Sequence, residues 1–206
     1  MSLFKLENVR FKEINYPPLE VKKGKTTFIC GESGVGKSTL LKLLNGVMTA
    51  DQGEISYLGK PLKEYDSIQL RRKALLVSQA AYLFEGTIKD NFIQYYGYRE
   101  VAPPTDAEMT YFLNLCSLNM SLDTEAYNLS GGEKQRVFIA INLSLNPEVV
   151  LLDEPTSALD EKNSLQLLSQ IKDYCREQEK SLVVVSHDRS LVQKFADEII
   201  ELRGDK

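Results

Sequence analysis

The sequence has no tryptophan, a single histidine and only three cysteines among its 206 residues. Cys30, Cys116 and Cys175 are odd in number and widely separated, so they fit neither a disulfide framework nor a metal-ligand spacing. Each lies in an apolar or helical stretch, and all three are expected to be buried thiols. No apolar run approaches the roughly 18 residues that span a bilayer, and the residues after Met1 turn polar and charged at once, unlike a secretory leader. A cytosolic chain is expected. Positive charge is also lacking: the formal net charge is −4, so no global basic field draws in nucleic acid. The length suits one domain with a full core and a smaller attached lobe.

Against these absences stands Gly31-Glu32-Ser33-Gly34-Val35-Gly36-Lys37-Ser38-Thr39, a glycine-rich turn between the apolar stretch Thr26–Cys30 and a leucine-rich stretch beginning near Lys37. A phosphate chain needs a concave array of backbone N–H donors, and glycine lets the backbone curl that tightly against an anion. Lys37 adds a point charge for the outer phosphates, the Ser38 hydroxyl can ligate Mg²⁺, and the positive end of the following helix strengthens the field. A nucleoside triphosphate site is expected here.

Along the chain, Leu3–Phe11 and Ile14–Val21 read as strands, the second interrupted by Pro17-Pro18, which places it at an antiparallel edge or bulge. Thr26–Cys30 is a buried central strand, and the helix from Lys37 to Asn45 ends at Gly46. Glu54–Leu58 is a further strand, Ser67–Lys73 a polar helix, and Ala74–Ser78 a buried strand delivering Gln79. From Ala80 to about Asn128 strands cease and aromatics gather at Tyr82, Phe84, Phe92, Tyr95, Tyr96 and Tyr98. That stretch is expected to form a helical lobe whose rings are either its core or a docking groove. Thr105 and Glu108 have capping-box spacing ahead of a face of Met109, Phe112, Leu113 and Cys116. A helix from Ser130 or Gly131 to Ser144 is followed by the apolar strand Val149–Leu152, an amphipathic helix over 161–178, the strand Ser181–Val185, a helix over 191–196 and a last strand over 198–202. Alternating strands and helices give an α/β fold with a mainly parallel sheet: residues 1–79 and 146–206 as a catalytic core, 80–145 as the helical lobe.

Asp153 and Glu154 end a buried strand, where unbalanced carboxylates are costly, so they call for a metal ion. The phosphate loop, Gln79, Asp153-Glu154 and His187 all stand at carboxyl ends of expected parallel strands, the edge where such sheets bind ligands. Ser38 and Asp153 would hold Mg²⁺, and Glu154 would take a proton from the attacking water. His187, at the same edge, is expected to sense the terminal phosphate.

With these residues in view, the sequence resembles the ATP-binding subunit of an ABC transporter over nearly its whole length. Gly31–Thr39 matches that family's Walker A motif, Gln79 its Q-loop, Leu129-Ser130-Gly131-Gly132-Glu133-Lys134-Gln135-Arg136 its signature and Val149–Pro155 its Walker B. Ser157-Ala158-Leu159-Asp160 matches the D-loop and His187 the switch histidine. The resemblance implies a P-loop NTPase core, an antiparallel β edge and a helical signature lobe. It implies a homodimer with ATP between the Walker A of one copy and Ser130, Gly131 and Gly132 of the other. It further implies Asp160 beside the nucleotide, Gln79 linking Mg²⁺ or water to the lobe, and an integral-membrane permease docking near residues 80–98 on the cytoplasmic face of the membrane. The family stacks adenine on an aromatic near the end of the first strand, for which Phe11 is the candidate and Tyr16 the reserve. The short form, with residues 82–87 after Gln79, is similar to exporter-type subunits and points to metal export, notably of iron. No regulatory C-terminal extension is expected. The alternative is a soluble ATPase of the same superfamily in DNA repair, translation or cofactor assembly. It is disfavoured by the acidic balance and by the lack of heptads between Walker A and the signature.

Overall fold

The computed structural model describes residues 1–203. In chain order the elements are β1 (Ser2–Phe11), β2 (Ile14–Asn15), β3 (Leu19–Lys22), β4 (Thr26–Cys30), α1 (Lys37–Leu44), β5 (Gln52–Tyr57), β6 (Lys60–Pro61), α2 (Ser67–Lys73) and β7 (Ala74–Val77). Next come α3 (Ile88–Gly97), α4 (Asp106–Leu115), α5 (Gly131–Ser144), β8 (Val149–Asp153), α6 (Glu161–Glu177), β9 (Ser181–Val185), α7 (Arg189–Phe195) and β10 (Glu198–Glu201). The chain divides into two compact units, one of Met1–Leu76, Pro147–Glu154 and residues 175 onward, the other of Val77–Asn146 and Pro155–Tyr174.

In the first unit, β1 buries Leu3, Phe4, Leu6 and Val9 and exposes most of the residues between them, so one face of its sheet is covered. It pairs antiparallel with β2, β3 and β5, and β6 adds to β5. The antiparallel part, expected as an edge, is thus a five-stranded sheet of its own among the described residues. Pro17-Pro18 divides the expected strand Ile14–Val21 into β2 and β3, because a proline offers no N–H to a ladder. The second sheet runs β10-β4-β9-β8-β7, and the pairs β10–β4, β4–β9 and β9–β8 are parallel. Every residue of β8 and β9 is buried, as strands covered on both faces require. Each fully buried valine or leucine side chain there contributes about 1.5–3 kcal/mol.

Three capping boxes start α3, α4 and α5 in the second unit: Thr87 with Asp90, Thr105 with Glu108 and Ser130 with Glu133. α5 is its centre, burying Val137, Phe138, Ile139, Ala140, Ile141 and Leu143 on nearly all sides. Residues 155–174, assigned to the core from sequence, group with this unit. Ser117 Oγ donates to Gln170 Oε1 at 2.5 Å and the Phe112 and Tyr174 rings meet edge-on at 5.9 Å, which ties the middle and later turns of α6 to α4 and the residues just after it. The aromatic segment divides as well: Phe92 and Tyr96 are core, while Tyr82 and Tyr98 are exposed. Cys116 and Cys175 are buried free thiols as expected, but Cys30 is half-buried because β4 ends there at the mouth of the phosphate loop.

Candidate nucleotide and metal site

The phosphate loop links β4 to α1, and three adjacent parallel strands deliver the chemistry around it. Ile29 on β4 stands opposite Val185 on β9, which stands opposite Asp153 on β8. The residues that follow, the phosphate loop, Ser186-His187 and Glu154, therefore emerge side by side at one sheet edge.

Gly36 opens α1 with φ 95° and no side-chain cap, leaving the first-turn amides to an incoming acceptor. A Cβ at Gly36 would lie 2.7 Å from the Tyr16 hydroxyl, so only glycine fits. Lys37 is buried, and its Nζ donates to the carbonyls of Gly31 at 2.9 Å and Glu32 at 2.8 Å, which bends the loop around the ammonium. Ser38 Oγ donates to Asp153 Oδ1 at 2.9 Å, joining residues 115 positions apart in sequence.

Asp153 is buried, and burial pushes its carboxyl up from the ordinary aspartate value; the Ser38 hydrogen bond opposes this and the Glu154 charge reinforces it. A desolvated carboxylate beside a second acid, hydrogen-bonded to a serine hydroxyl, is an oxygen donor set suited to a hard divalent cation. The uncapped helix start and the adjacent lysine fit phosphate equally well. Mg²⁺ and a triphosphate thus match the residues present, Ser38 and Asp153 toward the metal and Lys37 with the loop amides toward the phosphates.

Glu154 has a left-handed backbone, φ 47°, and its N–H donates to the Val185 carbonyl at 3.1 Å. Holding a non-glycine residue there costs on the order of 1 kcal/mol, strain of the kind that gathers at functional sites. His187 Nδ1 lies 3.6 Å from Glu154 Oε1, with the imidazole largely exposed and the carboxylate mostly covered. The acid and the histidine expected to act on one phosphate are therefore in contact.

Sequence reading is corrected at Tyr16. Its ring is buried and its hydroxyl donates to the Gly36 carbonyl at 2.9 Å, so it supports the phosphate loop from behind and cannot stack on a base. Burial pushes that phenol up to about 12. Phe11, at the end of β1, is half-buried, with the Lys12 ammonium 5.5 Å from its ring centroid. It remains the aromatic candidate.

Gln79, Ser130–Gly132 and Asp160 belong to the second unit. Gln79 is exposed in a bend after β7. Ser130 caps α5, its hydroxyl accepting the Glu133 N–H at 3.3 Å, while the Glu133 carboxylate accepts from the Ser130 N–H at 2.9 Å and its hydroxyl at 2.7 Å. The role of Glu133 escaped sequence reading, although its spacing from Ser130 is that of a capping box. A Cβ on Gly132 would come within 2.8 Å of Leu159 Cδ2 and 3.0 Å of the Ala158 carbonyl, so the D-loop packs directly on the signature backbone. Asp160 accepts from the Asn163 N–H and side-chain amide, both at 2.8 Å, at the start of α6.

Known proteins are similar to this chain in sequence and in fold. The family described as ABC transporter matches residues 14–157, a span holding the phosphate loop, Gln79, the signature and Asp153-Glu154. The L-cystine import ATP-binding protein TcyC of Bacillus subtilis (strain 168) is 36% identical over 209 residues, spanning 96% of this chain and 82% of TcyC. A bacterial Atm1-family ABC exporter with ATP bound superposes with a TM-score of 0.87 at 29% identity, over 100% of this chain and 38% of the exporter chain. The dimeric ABC transporter cassette MJ0796 superposes with a TM-score of 0.85 at 29% identity, over 98% of this chain and 94% of its own. With the phosphate loop, the signature helix and the acid pair in these positions, the chain belongs to the ABC transporter family of ATP-binding ATPases.

Proposed function

We propose that this chain is the ATP-hydrolysing subunit of a transporter whose membrane-spanning permease is a separate chain. Two copies would bind ATP between the phosphate loop of one and Ser130–Gly132 of the other. The observation that carries the reading is one chain holding both a complete phosphate and metal half-site and a second helix start, at α5, with the family signature. Dimeric MJ0796 supports the pairing.

Bound ATP supplies the terminal phosphoanhydride, and Mg²⁺ neutralises charge on its outer oxygens. Lys37 and the α1 amides would hold the phosphates, and Ser38 and Asp153 the metal. A Glu154 carboxylate oxygen would accept a proton from the attacking water while the Val185 carbonyl fixes its backbone. His187, 3.6 Å from that carboxylate, would orient it and offer a ring N–H toward the terminal phosphate. Gln79 would extend the metal shell toward the helical lobe, Asp160 would stand beside the paired copy, and Phe11 would stack on adenine.

No described helix is long and apolar enough to cross a membrane. The exposed rings of Tyr82 and Tyr98, with Ile93 and Val101 also exposed, offer a surface within residues 80–98 and just beyond for the permease, which would hold the subunit at the cytoplasmic face. Cargo direction belongs to the permease. Relatives named for cystine, methionine and phosphonate import support an import system. The likeness to an Atm1-family exporter supports the second reading, export, the direction expected from residues 82–87. For metal export in particular the described residues hold no group of three or more His, Cys, Asp and Glu side chains that could hold a metal ion, so any selectivity for a metal cargo would lie in the permease.

Affinity purification of the tagged chain from gently solubilised cells tests the proposal. Recovery of a polytopic membrane protein that raises its ATPase rate supports it; recovery of ribosomes instead would refute the transport reading.

A further inference from the structure

The segment after Gln79 is held by side chains from α3. Asn91 is fully buried, and its Oδ1 accepts the Phe84 N–H at 2.7 Å. Its Nδ2 donates to the carbonyls of Phe84 at 3.2 Å and Thr87 at 2.9 Å. One helical turn on, the Tyr95 hydroxyl donates to the Tyr82 carbonyl at 2.8 Å. Residues four apart share a helix face, so both grips act from the same side of α3. Burial pushes the Tyr95 phenol up to about 12, which keeps it a donor at any physiological pH.

The rings follow the backbone. Phe84 lies 4.9 Å from Tyr82, 5.5 Å from Tyr95 and 5.8 Å from Tyr98 between ring centroids, and Tyr95 lies 5.9 Å from Phe138 of α5. On the other side of Gln79, the buried Gln135 of α5 donates from Nε2 to the Ser78 carbonyl at 3.4 Å. Gln79 therefore sits in a short stretch fixed at residue 78 and again at residues 82 and 84, always by helices of its own unit.

We propose that Asn91 and Tyr95 are positioning residues, a two-point clamp that makes the Gln79 segment and the exposed aromatic surface move as one piece. The clamp rests on the reading that Gln79 meets the nucleotide. Packing alone would not require it: the hydrogen bonds of Asn91 go to main-chain atoms, and those atoms carry the ring at the centre of the surface. Without Asn91 and Tyr95, Tyr82 and Phe84 would have no main-chain hydrogen bond to α3 through which a displacement of Gln79 could be passed on.

The lack of tryptophan provides the test. Tyr82→Trp places the sole indole on the surface, and Glu154→Gln in the same protein keeps added Mg-ATP intact. Saturating Mg-ATP is expected to shift the indole emission, and Gln79→Ala to remove that shift. Asn91→Ala is expected to abolish the shift and Tyr95→Phe to weaken it. Their ATP affinity should stay within about twofold of the parent, because neither side chain is among the groups assigned to phosphate or metal and the Gln135 anchor at Ser78, next to Gln79, is kept. Tyr95→Phe removes one hydroxyl and keeps the ring, so its result does not hinge on folding. An undiminished shift in both clamp variants would overturn the clamp and leave the nucleotide reading standing. ATP bound with no shift in the parent would overturn it too. A parent that bound no ATP would defeat the proposed function, and the clamp with it.

Discussion

The helices α1 and α5 both begin at the places proposed to meet ATP phosphates, yet their first turns are finished differently. α1 starts at a glycine with no side-chain cap, and the lysine next to it bends the loop into a cradle. α5 starts at Ser130, whose N–H and hydroxyl already bind the Glu133 carboxylate. One helix start waits for an anion; the other holds its own. Under the proposed function a single copy would capture ATP at α1 alone, whereas Ser130 would have to trade Glu133 for a phosphate, an exchange that ATP seated on another copy would offer. The asymmetry gives binding and hydrolysis different molecular requirements, and substitutions should separate them.

The largest effect is expected at Glu154. Glu154→Gln should lower the steady-state ATPase rate by about 10²–10⁴-fold, the contribution of a positioned general base, with ATP still bound. Lys37→Ala comes next: losing a charge-assisted contact of about 1.5–3 kcal/mol should weaken ATP binding by roughly tenfold to a hundredfold in an equilibrium titration. Gly132→Ala drives a methyl into Leu159 and the Ala158 carbonyl, overpacking that costs about 1–3 kcal/mol. It should lower the thermal midpoint and slow hydrolysis while ATP capture by one copy persists. If capture failed with it, the two helix starts would not be separable.

Smaller still is Ser130→Ala, which removes an N-cap worth about 1 kcal/mol and should slow hydrolysis more than it weakens the first ATP contact. The weakest effect is a pH dependence. The Ser130 hydroxyl and N–H hold the Glu133 carboxyl below the ordinary glutamate value. A depressed carboxyl stabilises the fold fully above its unfolded pKa, about 4.3, and loses that contribution as pH falls through the lower folded value. Wild type should therefore lose more stability than Glu133→Gln between pH 6 and pH 3, roughly the range spanning both values, in urea melts.

Much of this was legible in the sequence where a local rule fixes a residue. The phosphate loop, the strand ending at Asp153 and the box at Thr105 each follow from spacing within a few positions. Register across β4, β9 and β8, which puts His187 against Glu154, depends on long-range pairing that spacing does not encode. Tyr16 was misread for the same reason: an aromatic near a nucleotide loop suggests stacking, and only the fold turns its hydroxyl onto the Gly36 carbonyl. Glu133 stands fourth in a capping box, but in sequence the family signature that spans it masks that role. Its hold on Ser130 emerges only when the carboxylate is seen on that hydroxyl and N–H.

Under the proposed function the phosphate loop is half of a catalytic site, completed by the signature helix of a second copy. The molar mass of Glu154→Gln in solution, followed by light scattering while Mg-ATP is added, tests it most directly. Conversion from a single copy to a pair as ATP saturates the loop, reversed by Ser130→Ala or by replacing ATP with ADP, is the predicted result. A protein that saturates with ATP and stays a single copy would contradict it.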